Sequence, residues 1–406
     1  MHFLIRQKRD ESRYYFKAFR GNFMTDYFTQ FENDAYDDEE TAYWVAFDKL
    51  SGTGLGIARI KILYELFGSL KEVWNVPSNE LPEIRGLSKE QLSAFEQQRK
   101  IVNPEVYMAE LFQKGVTALP YCHPLYPYLL RDIADPPLVL YMKGKLTPLD
   151  FAHCVSIVGT RKPSAYGQQY AKEISKNLSL LGATIVSGMA LGVDSFAHWG
   201  AIENNAKTIA VLGCGIDICY PSSNKNLYKK LSEEGSGAVI SEYYPGTTPE
   251  KWMFPARNRI VSGLSHATIV IEAGEESGAN ITCRLAFEQN RATFALPGRI
   301  DNEMSRGTHR LIADAKAQIL IDWKDILKDL NWISKSNPNA TEIPTIIELF
   351  GREKEIYDLL TREPIHFDFL AQQAGMEGGE LSATLTMLEL AGLCNRHPGD
   401  WFSKLD

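Results

Sequence analysis

The densest group of side chains able to do chemistry lies in residues 253–291. An Arg-Asn-Arg triplet (Arg257, Asn258, Arg259) follows Pro255 closely, with Lys251, Trp252 and Phe254 just upstream. The apolar run Ala267 to Ile271 then ends on Glu272-Ala273-Gly274, and Ser277-Gly278 opens a helical pattern. Arginine forks suit phosphate oxygens, and lysine adds a point charge. Glycine lets the backbone approach an anion closely, and a helix start offers free amides and a positive dipole. The chemistry expected of this set is the holding of a polyanion.

Other loops add to it. Gly159-Thr160-Arg161-Lys162 follows one apolar run, Ser187-Gly188 a second and Gly213-Cys214-Gly215 a third. Arg299, Arg306 and Arg310 lie in or near a later loop that opens on Pro297-Gly298. Phe254 and Trp252 have two readings. They are core residues, or they stack unpaired bases beside a basic groove. Arg257, Asn258 and Arg259 are expected to contact phosphates, with an ion pair to Glu242 or Glu272 as the alternative for one of the two arginines.

Catalytic patterns are not found. Gly213-Cys214-Gly215 has no third glycine at 218, and no P-loop signature occurs. Ser187 and Ser277 are not in a GxSxG elbow. Asp194 reads as a helix-start hydrogen-bond acceptor and His198 as a packing histidine. Glu242 and Glu272 read as an acid/base pair or, more commonly for strand-end carboxylates, as groups that orient neighbouring amides and arginines. No ligand spacing for a metal appears, so no cofactor and no metal are expected.

These loops need elements to position them. Apolar runs at Val155–Val158, Ala183–Val186, Thr208–Leu212, Ala238–Ile240, Ala267–Ile271, Thr293–Leu296 and Gln318–Ile321 alternate with helical patterns. That predicts a doubly wound, mostly parallel sheet covered on both faces, of Rossmann-like type. All the anion-seeking loops then fall on its carboxyl edge, where such folds bind ligands.

The flanks differ from this core. Residues 1–40 are a basic-aromatic then acidic leader without periodicity, expected to be disordered, with Met24 as an alternative start. Residues 41–115 read as helical, with glycine turns at Gly52-Thr53-Gly54 and Ile84-Arg85-Gly86 of helix-hairpin-helix (SAM-like) type. A Pro-rich connector, Tyr126 to Gly144, lies in the first part of the α/β domain at 120–325, ahead of its strand-helix alternation. A linker at 326–349 precedes a winged-helix pattern at 350–406. Its third helix, Glu380 to Ala391, has no Arg or Lys. Phosphate contacts supply most nucleic-acid affinity, so a protein-contact or structural role is expected there.

The net charge of −8 excludes a wholesale basic nucleic-acid binder and confines any polyanion site to a local patch. Cys122, Cys154, Cys214, Cys219, Cys283 and Cys394 form no CxxC pair, which fits reduced thiols in a cytoplasmic protein. No apolar run approaches the ~20 residues that span a bilayer.

Several motifs in order resemble the DNA-processing protein A family (DprA, also called Smf). They are Ser156-Ile-Val-Gly159-Thr-Arg161, Ser187-Gly-Met-Ala-Leu-Gly-Val-Asp194, Gly213-Cys-Gly-Ile-Asp217, Tyr220-Pro221, Ser241-Glu242, Pro255-Ala-Arg-Asn-Arg259 and Pro297-Gly298. The resemblance is strong over 120–320. It implies a non-enzymatic homodimer that binds single-stranded DNA and loads the recombinase RecA in natural transformation. The family's phosphate loop maps to Gly159 and Arg161, and its basic and aromatic contacts map to Lys251 and Phe254. Departures are Val193, His309 after Gly307-Thr308, and Ala315-Lys316. The sheet is also similar to nucleotide phosphoribohydrolases of the lysine-decarboxylase-like (LOG) family. That alternative lacks its Pro-Gly-Gly-x-Gly-Thr signature here, since the stretch reads Glu272-Ala-Gly274-Glu-Glu-Ser277-Gly278.

Overall fold

A computed structural model describes residues 38–50, 55–77, 80–81, 88–332, 352–361, 364–390, 394–397 and 399–404. The leader up to residue 37, both glycine turns of helix-hairpin-helix type and residues 333–349 of the linker lie outside the described residues. The chain forms two compact units, divided between Ile333 and Ser334.

The first unit begins with helices α1 (Asp38–Leu50), α2 (Ile57–Phe67), α3 (Leu70–Asn75), α4 (Lys89–Arg99) and α5 (Pro104–Gln113). Ser88 caps α4 in a capping box with Gln91, and Asn103 caps α5 ahead of Pro104. Helix α1 starts inside the stretch expected to be leader. The reason is Glu40, whose carboxylate accepts from Ser69 Oγ (2.6 Å) and Leu70 N (2.7 Å) and so caps α3 from a distance. Phe47 stacks on Phe95, and Trp44, Phe47 and Phe95 are fully buried. That aromatic core is continuous with Ala210, Leu212, Val239 and Tyr244 of the sheet region, so the helices and sheet share one packed cluster.

Nine strands follow in the order β1-β2-β6-β5-β4-β3-β7-β8-β9. They are β1 (Thr117–Pro120), β2 (Val139–Gly144), β3 (Cys154–Val158), β4 (Thr184–Ser187), β5 (Thr208–Val211), β6 (Gly237–Ser241), β7 (Ala267–Val270), β8 (Ala292–Ala295) and β9 (Gln318–Ile319). Strands β3 to β9 are parallel, and each run expected to be a strand is one. Every residue of β3, β4, β5, β6 and β7 is buried, as strands covered on both faces require. The expected connector is part of the sheet. Its β2 pairs antiparallel with β1 and with β6 and so extends that edge.

The helices of this region are α6 (Tyr128–Arg131), α7 (Ala165–Leu180), α8 (Val193–Ile202), α9 (Lys225–Ser232), α10 (Met253–Gly263), α11 (Gly278–Glu288), α12 (Arg306–Ala313) and α13 (Lys324–Asp329). Among the described residues no helix is long and apolar enough to cross a membrane.

The second unit is a winged helix. Its elements are α14 (Arg352–Leu359), β10 (Ile365–His366), α15 (Phe367–Ala374), α16 (Gly378–Leu390), β11 (Cys394–His397) and β12 (Trp401–Lys404). The strands pair in the order β10-β12-β11. Ile356, Leu370, Leu381, Leu385, Leu388 and Phe402 fill its core. Gly375, with φ of 60°, ends α15 in the left-handed region, where a residue without Cβ is favoured.

Candidate nucleic-acid interface

The chain winds from β3 through β4 and β5 to β6 on one side, then from β7 through β8 to β9 on the other. Strands β3 and β7 are therefore neighbours whose following loops depart in opposite directions. This switch point leaves a crevice at the carboxyl ends of the strands. Here the crevice has a volume of about 950 Å³. Its walls come from Gly159–Lys162 after β3, Gly188 and Ala190 after β4, Lys251, Phe254 and Pro255 at the start of α10, and Gly274 and Glu276–Ala279 after β7.

The loops are held by their own backbone. Thr160 N donates to the Glu272 carbonyl (2.7 Å), and Lys162 N donates to Thr160 Oγ1 (3.2 Å). A Cβ on Gly159 would come within 2.6 Å of Val193, so glycine is required for β3 and α8 to pack this closely. Arg161 and Lys162 stay exposed. Opposite them, Ser277 Oγ accepts from Ala279 N (3.3 Å) and caps α11. A Cβ on Gly278 would meet nothing, so the crevice reaches the first turn of that helix without obstruction. Its dipole favours an anion there. Pro255 sits in the first turn of α10, where no intrahelical amide is needed.

The Arg-Asn-Arg triplet divides. Arg257 lines the crevice floor and is 5% exposed. It donates to the Val211 carbonyl, and its Nε has no hydrogen-bond partner. Gly188 makes room for it, since a Cβ there would lie 2.0 Å from Arg257 Nη1. Burial lowers its pKa, with the Asp194 carboxylate opposing. Asn258 also lines the crevice. Arg259 does not. Its fork is held by Glu242 at 3.0 and 2.6 Å, and Asp135 lies 3.3 Å from its Nε. Burial works to lower its pKa, but the Glu242 and Asp135 carboxylates together outweigh that and raise it. Residues two apart on a helix are about 200° apart around the axis, so the two arginines face opposite ways.

The other expected residues also separate by position. Gly159, Thr160, Arg161, Gly188, Lys251, Phe254, Ser277 and Gly278 line the crevice. Ser187 does not; its Oγ donates to the Ile157 carbonyl inside the sheet. Gly213 lies behind the Phe254 ring, 3.0 Å from where its Cβ would stand. Gly215 packs against the Tyr244–Thr247 turn and is not a lining residue.

Phe254 is half-buried, with the Tyr220 ring tilted at 34° and 5.2 Å from it. Tyr220 and Met304 line the crevice, although neither is an expected site residue. The family motif Tyr220-Pro221 is the available signal for the first; no sequence signal marks Met304.

The candidate acid/base residues are occupied otherwise. Glu272 is buried and accepts from Ser164 N (2.8 Å) and Ser164 Oγ (2.5 Å), tying β7 to the start of α7. Asp194 accepts from Gly188 N (3.1 Å) and Ala190 N (3.3 Å); burial raises its pKa, and Arg257 opposes the rise. Buried His198 shares a hydrogen bond with Thr208 Oγ1 (2.7 Å), and burial pushes it down to about 3. No group of three His, Cys, Asp or Glu that could hold a metal occurs among the described residues.

The chain is similar to known proteins. Residues 117–331 match the family model described as DNA recombination-mediator protein A. The chain belongs to this family. Residues 344–400 match the DprA winged helix domain. Protein Smf of Synechocystis sp. is 34% identical over 395 residues, 89% of this chain and 98% of that protein. The DNA processing protein DprA of Bacillus subtilis is 35% identical over 254 residues, 61% of this chain and 84% of its own. The X-ray structure of DprA from Streptococcus pneumoniae aligns with a TM-score of 0.60 at 32% identity, covering 71% of this chain and 97% of that one.

Proposed function

We propose that the crevice binds single-stranded DNA, and that the protein acts in DNA processing during transformation by protecting the incoming strand and loading RecA onto it. One observation carries the reading. Arg161, Lys162 and Lys251 are exposed and converge on the crevice, and none forms an ion pair with another described residue. Their field is therefore unspent, whereas Arg259, Arg299 and Arg310 are each neutralised by a carboxylate. Counterions gathered by a phosphate chain would be released by such cations, which is the main source of nucleic-acid affinity.

Arg161, Lys162 and Lys251 take phosphates, the first turn of α11 takes another, and Phe254 with Tyr220 takes a base. Arg257 supports the floor of this site. Two copies acting as a homodimer would present two such crevices to one strand, and the work would be done in the cytoplasm without cofactor. The deciding experiment is a competition between single- and double-stranded oligonucleotides across a salt series. Preference for the single strand with a steep salt dependence is expected. Equal binding, or release of free base from an AMP-type nucleotide by the purified protein, would overturn the reading in favour of a duplex binder or a phosphoribohydrolase.

A further inference from the structure

Trp252 is the most exposed large aromatic near the crevice, yet it does not line it. The residue is 58% exposed. A tryptophan left this open forgoes much of the burial that usually stabilises its position. Its orientation is nevertheless fixed. Its Nε1 donates to a Glu250 carboxylate oxygen (2.6 Å), and the Tyr243 ring meets it edge-on at 84°, with centroids 6.1 Å apart.

Trp252 already has helical backbone angles, φ −71° and ψ −22°, as the residue before α10. Phe254, two positions on, therefore projects from nearly the opposite side of the same turn. Phe254 faces Tyr220 and the crevice, whereas Trp252 faces Tyr243 outside it. Lys251 lies just before them in sequence, lines the crevice and is exposed. One cation beside two aromatic rings on opposite sides of a helix start matches the alternation of phosphate and base along a strand.

Resting on the reading of the crevice as a single-strand site, we propose that Trp252 is a second base-stacking platform, which a bound single strand reaches by turning around the first turn of α10 past Lys251. The occupant is a base and not the backbone, because the Glu250 carboxylate beside the indole repels a phosphate. An indole face accepts any base, so the platform adds affinity without sequence preference.

The test is fluorescence anisotropy of the full chain with oligothymidylates of about 4 and about 16 nucleotides, the span of known single-strand site sizes. Trp252→Ala is expected to weaken the longer oligonucleotide roughly fivefold or more, the low end of base-stacking effects, and to leave the shorter one within about twofold. Trp252→Phe restores the length dependence. Lys251→Ala weakens both lengths. An unchanged affinity of Trp252→Ala for the longer strand, or an equal loss at both lengths, would sink the platform while leaving the crevice reading intact. If Lys251→Ala and Arg161→Ala are silent at both lengths, the crevice reading itself fails and the platform with it. If the alanine variant does not fold, Trp252→Leu removes the π-face while keeping bulk, and the same outcomes decide.

Discussion

Two regions of this chain have pedigrees for touching DNA, and they differ in chemistry. The winged helix offers α16, the element that in many winged helices enters a groove. Its exposed positions include Glu380, Ser382, Thr386 and Glu389, and it has no lysine or arginine. The sheet crevice offers unpaired cations, an open helix start and an aromatic pair within one volume of about 950 Å³. The difference teaches that an architecture supplies a shape and its surface chemistry decides the partner. In an acidic chain, affinity for a polyanion has to come from the place where cations are concentrated and left unneutralised.

The comparison is tested most severely by Arg161→Ala combined with Lys251→Ala. Each change removes a charged interaction of about 1.5–3 kcal/mol, so affinity for a single strand is expected to fall by about a hundredfold or more. The slope of log affinity against log salt should become shallower by about 1.4, or ~0.7 for each single-strand phosphate that goes unneutralised. A titration at several salt concentrations measures both. An unaltered slope would move the binding site out of the crevice.

A smaller loss is expected from Gly188→Ala. The new methyl group occupies the place of Arg257 Nη1, so the guanidinium has to leave the Val211 carbonyl. Overpacking of this kind costs about 1–3 kcal/mol of stability. Affinity should drop roughly fivefold, in line with one weakened charged hydrogen bond. Thermal unfolding and strand titration on the same sample separate the two effects. Full affinity despite a lowered Tm would show that the crevice floor takes no part in binding.

Arg259→Ala sharpens the contrast from inside the motif. Glu242 is 13% exposed in its side chain and would lose its bidentate partner, at a cost of about 3 kcal/mol. Affinity for the strand should nevertheless stay within about twofold, because Arg259 faces away from the crevice and its charge is already spent. A large affinity loss beyond that expected from unfolding would return Arg259 to the binding surface.

How much of this was legible in the sequence depends on the range of the interactions involved. The parallel strands were, because a strand buried on both faces reads as a near-continuous apolar run, as Cys154–Val158 does apart from Ser156. The gathering of Arg161, Lys251 and Phe254 in one crevice followed from topology alone, since strand-end loops of such a sheet share an edge. The opposite fates of Arg257 and Arg259 were not legible, because they depend on Gly188 and Glu242, neighbours that only the folded sheet brings to them. Strand β2 was obscured by its flanking prolines, and its pairing with β6 is set by residues about 100 positions away. Glu40 looked like part of a solvated acidic run because its partners, Ser69 and Leu70, lie a helix away.

The smallest effect is expected on the other side of the comparison. Ser382 and Thr386 are exposed on α16 and are the neutral donors through which that helix could reach a phosphate. The Thr386 hydroxyl already donates to the Ser382 carbonyl (2.8 Å). Each remaining neutral hydrogen bond to a solvated phosphate is worth at most about 1 kcal/mol, and Glu380 and Glu389 on the same helix oppose the approach of any phosphate. A helix without cations also releases no counterions, so it cannot contribute to the salt slope. Ser382→Ala with Thr386→Ala should therefore leave both the affinity and the salt slope for single-stranded DNA unchanged. A loss comparable to that of Gly188→Ala would mean that α16 reads DNA without charge, and the contrast between the two regions would collapse.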